Sequence, residues 1–192
     1  MLLATPQNRR EILETLNQAF YTNNHLNWLA TGKTEASERI QPLVAYTFDY
    51  GIRHGKVFST PQQEGVAIWK RYPAKGDFLR DSLLSLQLVS QLGLAPIPRI
   101  LKTEAYVEKQ RSQYPYLYLW MLGVHPQFQG KGFASSLLDP LLLEAQKEEI
   151  PVLLETSTLQ NVSLYQHKGF EVYHEYQPSR ELTIYFLRKD PS

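Results

Sequence analysis

The strongest hydrophobic pattern in the chain is a β-prone run followed by an amphipathic helix. Residues 116–124, Tyr-Leu-Tyr-Leu-Trp-Met-Leu-Gly-Val, are apolar at both alternating positions, which is typical of a central strand buried on both faces. After a short loop, apolar residues at helical spacing predict a helix running to about Glu148, and Pro140 within it should kink the helix or remove one hydrogen bond. The apolar positions are Ala134, Leu137, Leu138, Leu141, Leu142 and Ala145.

Shorter patterns elsewhere predict further helices and strands within one α/β domain. A chain of 192 residues is long enough to form one substantial core, and no repeat or linker divides it. Residues 21–33 are polar and aromatic and are expected to form a loop. Apolar spacing and glycine or proline punctuation predict helices over 12–20, 36–50, 79–92, 99–111 and 161–167, and strands over 56–60, 66–70, 152–155, 171–176 and 182–187.

Gly123 interrupts the central strand close to its end. An isolated glycine within a strand indicates a β-bulge or the close approach of another backbone. Either arrangement leaves backbone N–H and C=O groups free to bind something other than the neighbouring strand. We therefore expect an irregularity at Gly123.

The composition limits the possible functions. Lys plus Arg number 20 and Asp plus Glu number 19, so the net charge of +1 lacks the basic excess of proteins that bind nucleic acids or anionic membranes. The absence of cysteine excludes disulfides, thiolate catalysis and zinc–thiolate sites, and the five histidines lack metal-binding spacing. No apolar stretch approaches the roughly 20 residues that span a bilayer, and the N-terminus lacks a signal-peptide pattern. We therefore expect a cytoplasmic protein without metal, nucleic-acid or membrane partners.

The segment Gln129–Ala134, Gln-Gly-Lys-Gly-Phe-Ala, connects the central strand to its helix. Gly130 and Gly132 permit a tight turn and a close approach of the backbone to a ligand, while the helix offers unpaired N–H groups and the positive end of its dipole. Lys131 adds a cation beside them. These features favour a phosphate-binding loop, although a lone G-x-G also occurs in ordinary strand-to-helix turns.

Residues 116–170 resemble the GNAT superfamily of acetyl-CoA-dependent N-acetyltransferases in the order and spacing of their motifs. The remaining residues fit that family by element order only. The resemblance implies a single GNAT-like domain over residues 1–192, with helices flanking a mixed, mostly antiparallel twisted sheet that splays beside strand 152–155. The motif residues are Val124-x-Pro126-x-x-Gln129-Gly-x-Gly132-x-Ala134, then Glu155, Asn161, Tyr165 and Gly169-Phe170.

The resemblance further implies that acetyl-CoA is the co-substrate and that no metal takes part. In this family the backbone amides of the glycine segment bind the pyrophosphate of coenzyme A, and the end of the preceding strand pairs with the pantetheine arm. Asn161 corresponds to a pantetheine contact, or alternatively caps its own helix. The implied cofactor-binding residues are Leu122, Gly123, Val124, Gln129, Gly130, Lys131, Gly132, Phe133, Ala134 and Asn161.

Acetyl transfer from a thioester to an amine requires a neutral amine, a stabilised oxyanion and a protonated leaving thiolate. By family position Tyr165 is the candidate acid, because a phenol with a pKa near 10 donates a proton without being ionised at neutral pH. The alternative is that Tyr165 only packs against the sheet. We expect the oxyanion to lie near the backbone N–H group of Leu122 or Val124.

The candidate base is Glu155, at the end of a short apolar strand where partial burial would raise its pKa. Two alternatives remain open. In the first, Glu155 is a surface carboxylate that caps residues 156–158. In the second, His125 supplies the base beside the phosphate loop.

Aromatic residues near the strand ends suggest where an acceptor would bind. Trp69, Tyr118 and Trp120 fit either an acceptor pocket or ordinary core packing. The loop Tyr21–Trp28 is expected to close over this pocket. The acceptor itself, a small-molecule amine or a peptide, is not specified by the sequence, and a homodimer is compatible with it.

Two other functions remain open at this point. Gly130-Lys131-Gly132 with Glu155 about 20 residues beyond matches part of a dinucleotide fingerprint, but Ser135 replaces the third glycine and the C-terminal strands are expected to be antiparallel. A non-catalytic acyl-CoA-binding or sensing module would keep the same cofactor cleft without turnover. The favoured function is direct acetyl transfer in a ternary complex, without a covalent enzyme intermediate.

Overall fold

The computed structural model of the protein describes residues 1–30, 36–73, 78–111 and 115–191. In this part of the chain, helices pack on both faces of one sheet. The helices are α1 (Arg9–Phe20), α2 (Asn24–Leu29), α3 (Ala36–His54), α4 (Phe78–Leu92), α5 (Ile97–Gln110), α6 (Phe133–Glu148) and α7 (Leu159–His167). The strands are β1 (Leu2–Leu3), β2 (Gly55–Ser59), β3 (Gly65–Tyr72), β4 (Tyr116–Val124), β5 (Val152–Thr156), β6 (Glu171–Ser179) and β7 (Leu182–Lys189).

The sheet has the strand order β1-β2-β3-β4-β5-β7-β6. Its central neighbours β4 and β5 are parallel, with α6 between them in the chain, and every other described pair is antiparallel. This arrangement confirms the mixed, mostly antiparallel sheet. It differs from the doubly wound parallel sheet of the dinucleotide-binding folds, which requires a series of β-α-β units.

Strands β4 and β5 run together for only three residues and then part. Leu117–Leu119 pair with Val152–Leu154, and no further pairing of these two strands is present in the described structure. Beyond that point β4 remains paired with β3 as far as Val124, and β5 remains paired with β7 as far as Thr156. The expected splay beside β5 is therefore present, and it leaves a gap in the middle of the sheet.

The β-bulge in the central strand lies at Trp120 rather than at Gly123. Ile68 and Trp69 on β3 are opposite Met121 and Leu119, so that Trp120 is the extra residue. Such an insertion places two successive side chains on one face and changes which backbone groups face each neighbour. Of the two alternatives given for Gly123, the β-bulge is therefore not found at that residue.

Gly123 is explained by the close approach of a helix. It pairs in register with Val66, and a Cβ atom at this position would lie 2.9 Å from the Cβ of Ala19 and 3.0 Å from the Cε2 of Phe20. The absence of a side chain allows α1 to pack directly against β4. The structure therefore shows a close approach at this glycine, made by side chains of α1 rather than by another backbone.

Two apolar layers fix the sheet between the helices. On one face, Leu137, Leu138 and Leu141 of α6 and Tyr165 of α7 pack on β4 and β5. On the other face, α1 and α3 pack on β2, β3 and Met121 of β4. The site described below lies where the gap in the sheet connects these two faces.

Most sequence-predicted elements are present, and the differences are local. Within Tyr21–Lys33, which was predicted to be a loop, the structure contains α2, whose first turn is capped by Asn23 through its side-chain oxygen and the N–H of Leu26; residues 31–33 lie outside the described residues. The short edge strand β1 was not predicted. Among the described helices, none combines the length and apolar content needed to cross a bilayer.

We expect Gly123→Ala to destabilise the fold by about 1–3 kcal/mol, because the added methyl group would overlap α1. Chemical denaturation measures this loss. The double variant with Ala19→Gly is the control, since removing one of the clashing methyl groups should make the two changes less than additive. Simple additivity would show that the contact with α1 does not require this glycine.

Candidate active site

The loop between β4 and α6 is shaped by its two glycines. Gly130 has a φ of 76° and Gly132 a φ of 82°, a conformation that side chains with a Cβ rarely adopt. A Cβ at either position would meet nothing within 4 Å, so backbone conformation rather than crowding requires glycine here. Both glycines are exposed at the start of α6.

The turn leaves a row of backbone donors without a described acceptor. The N–H of Gln129 bonds to Pro126 and that of Ser136 to Gly132, whereas the amides from Gly130 to Ser135 bond to no described residue. These six N–H groups lie at the positive end of the α6 dipole, which is a ready site for an anion. Lys131 lies beside them on the surface.

Side chains on either side of the loop hold it in place. Gln129 donates from Nε2 to the carbonyl of Val124 at 3.2 Å and thereby connects the loop to the end of β4. His125 accepts from the N–H of Gln127 at 3.3 Å and caps the short 3-10 helix Pro126–Phe128. His125 therefore flanks the loop, while Phe133 and Ala134 pack beneath it against the core.

The gap beside β4 exposes backbone donors of that strand. The N–H of His125 bonds to Glu64, on the side of β3. Because successive residues of a strand alternate between its two neighbours, the amides of Leu122 and Val124 face the other side, toward the gap. The pairing with β5 has ended at Leu119, so these amides lack a strand partner there.

One cavity of about 430 Å³ runs through this gap. At the gap it is bounded by the ends of β4 and β5 and by α7, and on the far side of the sheet by α2, α3, α4 and α5. The far part is rich in aromatic rings, and we call it the aromatic chamber. The chamber is lined by Tyr46, Tyr50, Lys70, Tyr72, Tyr118 and Trp120, among other residues.

Tyr165 and Asn161 of α7 line the cavity at the gap. Tyr165 is buried, its ring packs edge-to-face on Phe170, and its hydroxyl makes no hydrogen bond with a described residue. Burial raises the pKa of the Tyr165 phenol, so the group stays protonated well above neutral pH. Asn161 is exposed within α7, whose N-cap is Thr158, so the alternative that Asn161 caps this helix is wrong.

Glu155 belongs to a buried ion pair at the border between the gap and the aromatic chamber. Arg111 donates to both of its oxygens, from Nε and Nη2 at 3.3 Å each, and Tyr118 donates to Oε2 at 2.6 Å. The Arg111 and Glu155 side chains are only 3% and 6% exposed. Glu155 is therefore not a surface carboxylate capping residues 156–158.

The pKa shifts in this cluster follow from burial and charge. Burial by itself lowers the pKa of Arg111, but Tyr118, Glu155 and Glu104 outweigh that effect and the net shift is upward. Burial raises the pKa of Tyr118 well above its ordinary value. The guanidinium also lies 3.9 Å from the centroid of the Tyr118 ring, so charge and ring stabilise each other.

Lys70 and Arg111 are cavity residues that the sequence did not reveal. Arg111 ends a charged stretch that is typical of a solvated helix end, and only its distance from Glu155 in space shows its role. Lys70 gives a weak signal, as a lysine within a β-prone run between Trp69 and Tyr72. Both side chains are buried in the structure.

The expected aromatic pocket is present in part. Tyr118 and Trp120 line the chamber. Trp69 instead lies in the core on the opposite face, stacked on Phe58 with its Nε1 bonded to Glu144, so its assignment to the pocket is wrong. Asn23, His25 and Leu26 line the cavity from the segment that was expected to close over it. No group of three or more metal-ligating side chains occurs in the described ranges.

Part of the chain matches a known family. Residues 100–172 match the family model described as "Acetyltransferase (GNAT) domain". An "Uncharacterized N-acetyltransferase" of Schizosaccharomyces pombe is 37% identical over 87 residues, which are 45% of this chain and 33% of that protein. The chain thus spans about a third of the length of that curated relative.

Solved structures of similar fold cover nearly the whole chain. A Corynebacterium glutamicum protein described as "histone acetyltransferase HPA2 and related acetyltransferase" has a TM-score of 0.71 at 21% identity. The superposition covers 100% of this chain and 95% of the other chain. Arylalkylamine N-acetyltransferase 2 from Aedes aegypti has a TM-score of 0.70 at 14% identity, covering 100% and 98%. At such low identity these similarities concern the fold alone.

We expect Arg111→Met to lower the free energy of unfolding by about 3–5 kcal/mol, because it would leave the Glu155 carboxylate buried without a counter-charge. The double variant Arg111→Met/Glu155→Gln removes that charge as well and should recover much of the loss. Urea denaturation of the two variants measures the difference. Equal losses in both would show that packing of Arg111, rather than its charge, stabilises this region.

Proposed function

We propose that this chain, of which residues 100–172 match the GNAT acetyltransferase domain, transfers an acetyl group from acetyl-CoA directly to a primary amine of a small molecule or peptide. The observation that carries the proposal is the cavity through the parted strands. The cavity connects the gap, where backbone amides and Tyr165 are available, to the aromatic chamber, which can hold a second molecule. Two substrates can therefore meet inside the sheet, as direct transfer requires.

The donor is assigned to the gap and the adjacent loop. The free amides from Gly130 to Ser135 bind the pyrophosphate of coenzyme A, with Lys131 as an additional cation and Gln129 holding the loop. The pantetheine arm lies along Leu122–Val124, where it takes the place of a strand partner, with Asn161 across from it. In this arrangement the thioester reaches the end of the gap at Tyr165.

The transfer requires one new bond, one broken bond and two proton movements. The neutral amine nitrogen attacks the thioester carbonyl carbon, and the oxyanion that forms accepts a hydrogen bond from the amide of Leu122 or Val124. When the C–S bond breaks, the Tyr165 hydroxyl donates its proton to the leaving thiolate. The raised pKa of Tyr165 keeps that proton in place until the thiolate forms.

Glu155 is proposed as the final proton acceptor from the amine. Its oxygens already accept three hydrogen bonds, so a direct uptake would displace one of the donors. Tyr118 offers a route without displacement, because its hydroxyl can take the proton from the amine while passing its own to Oε2. Arg111 holds the carboxylate in the orientation that this transfer needs.

A non-catalytic acyl-CoA-binding module is the second candidate. The engagement of Glu155 by Arg111 and Tyr118 favours it, since both carboxylate oxygens already accept hydrogen bonds and neither is free to take up the amine proton. The unbonded hydroxyl of Tyr165 and the separate chamber favour catalysis. Release of free coenzyme A from acetyl-CoA, measured with a panel of amines, amino acids and peptides, decides between them.

We expect titration calorimetry to show binding of acetyl-CoA and none of NAD. Gly132→Val should abolish the acetyl-CoA signal, because a β-branched residue at a φ of 82° cannot keep the turn that presents the amides. Gly93→Val is the matched control, as Gly93 also has a positive φ and open surroundings but lies between α4 and α5. Binding of NAD alone, or an unaffected Gly132→Val variant, would contradict the proposed donor site.

Tyr165→Phe should lower kcat by about 10²–10⁴-fold, because the thiolate would then leave without a proton donor. The Kd for acetyl-CoA should change little, since the ring and its packing on Phe170 remain. Tyr176→Phe, a tyrosine outside the cavity lining, is the control and should retain full turnover. A Tyr165→Phe enzyme with unchanged kcat would disprove the acid role.

A further inference from the structure

Lys70 places a buried ammonium group inside the aromatic chamber. The residue lies on β3 and is 8% exposed. Its Nζ atom lies 3.6 Å from the ring centroid of Trp120, 4.8 Å from that of Tyr50 and 5.1 Å from that of Tyr72. Aromatic faces therefore surround the charge and compensate for part of its lost hydration.

None of the described residues accepts a hydrogen bond from this ammonium. Glu155 is engaged by Arg111 and Tyr118, and Asp81 is bound by His54 at 2.6 Å. Glu104 is 54% exposed, and its Oε2 lies 3.9 Å from Nη1 of Arg111. Lys70 therefore has three N–H donors but no close anion in the part of the chain that the structure describes.

An unpaired buried cation calls for an anionic partner. Burial lowers the pKa of Lys70 to about 8, so the amine is still mostly protonated at neutral pH. His25, another basic side chain of the cavity lining, is neutral at that pH because burial lowers its pKa to about 4. A buried ionised group is normally paired, and an isolated one lowers stability. A carboxylate in the chamber would accept the hydrogen bonds that Lys70 has available.

The remaining walls of the chamber suit an apolar body. Aliphatic side chains of α3, α4 and α5, among them Leu43, Val89 and Ile97, also line the cavity. A polyamine would bring a second cation beside the Lys70 ammonium in a site of low polarity, where like charges repel strongly. A plain arylalkylamine would fill the chamber and leave Lys70 unpaired.

Resting on the proposed acetyl transfer, we propose that the acceptor is an aminocarboxylate with an apolar body, and that Lys70 binds its carboxylate in the aromatic chamber. The amine end of such a molecule then extends toward the gap. Arg111 is another cation of the cavity, but its charge is already paired with Glu155 through Nε and Nη2, whereas the Lys70 ammonium has no such carboxylate partner among the described residues.

The experiment compares acceptors that differ only in the carboxylate. Acetyl-CoA turnover is measured with phenylalanine against phenethylamine, with 5-aminopentanoate against pentylamine to vary the spacing, and with spermidine. For at least one pair, kcat/KM should be about tenfold or more higher for the aminocarboxylate, as expected for one charge-assisted hydrogen-bonded pair. If kcat/KM is higher for each plain amine than for its aminocarboxylate, or highest for spermidine, the proposal is overturned, whereas the proposed acetyl transfer is not.

Variants then test whether Lys70 is the cause of the preference. Lys70→Met keeps the length of the side chain and removes the charge, so the ratio within the preferred pair should fall toward one. Lys56→Met, at an exposed lysine of the neighbouring strand β2, is the matched control and should preserve the ratio. An equal loss for both members of the pair in Lys70→Met would show that Lys70 acts on the transfer rather than on the carboxylate, and would overturn the proposal.

A competition assay on the wild-type protein tests the proposal without any variant. 3-Phenylpropanoate, which has the carboxylate but no amine, should inhibit competitively against the amine acceptor, and 3-phenylpropanamide should inhibit at least about tenfold more weakly. Equal inhibition by the two overturns the proposal. If acetyl-CoA binds but no amine of any kind is acetylated, the proposed function fails instead.

Discussion

The parting of β4 from β5 is the constraint on which the candidate site depends. The bulge at Trp120 changes the alternation of the strand, so that the amides of Leu122 and Val124 face the space that β5 has left. Backbone donors facing such a gap require a partner, because a strand edge inside a fold is otherwise unsatisfied. The same gap joins the two faces of the sheet, and a cavity through it can receive a different molecule from each side.

The ion pair of Arg111 and Glu155 lies at the border between this gap and the aromatic chamber. It connects the residue after α5 to the end of β5, two parts of the chain that are far apart in sequence. Burial of both groups is costly unless the geometry holds, and the phenol of Tyr118 supplies the additional hydrogen bond. Stability and proton transfer would thus depend on the same three side chains.

The sequence predicted features that local rules determine. A continuous β-prone apolar run located β4, and glycine spacing located the turn before α6, because both patterns depend on neighbours in the chain. Gly123 was predicted to mark either a bulge or a close approach, and only the position of α1 distinguishes the two. The partners of Lys70 and Arg111 come from distant segments, and no local pattern marks a lysine that will be enclosed by rings. The roles of the individual site residues stay predictions.

The glycine loop offers its hydrogen bonds from the main chain, whereas the aromatic chamber is built from side chains of separate helices and strands. Replacing a residue between the glycines leaves the six N–H groups where they are, because every residue other than proline carries one. Replacing a residue of the chamber changes its shape or charge at once. Under the proposed assignment of the two sites, selection can therefore alter the preferred amine one residue at a time, while the loop that binds the acyl donor stays the same.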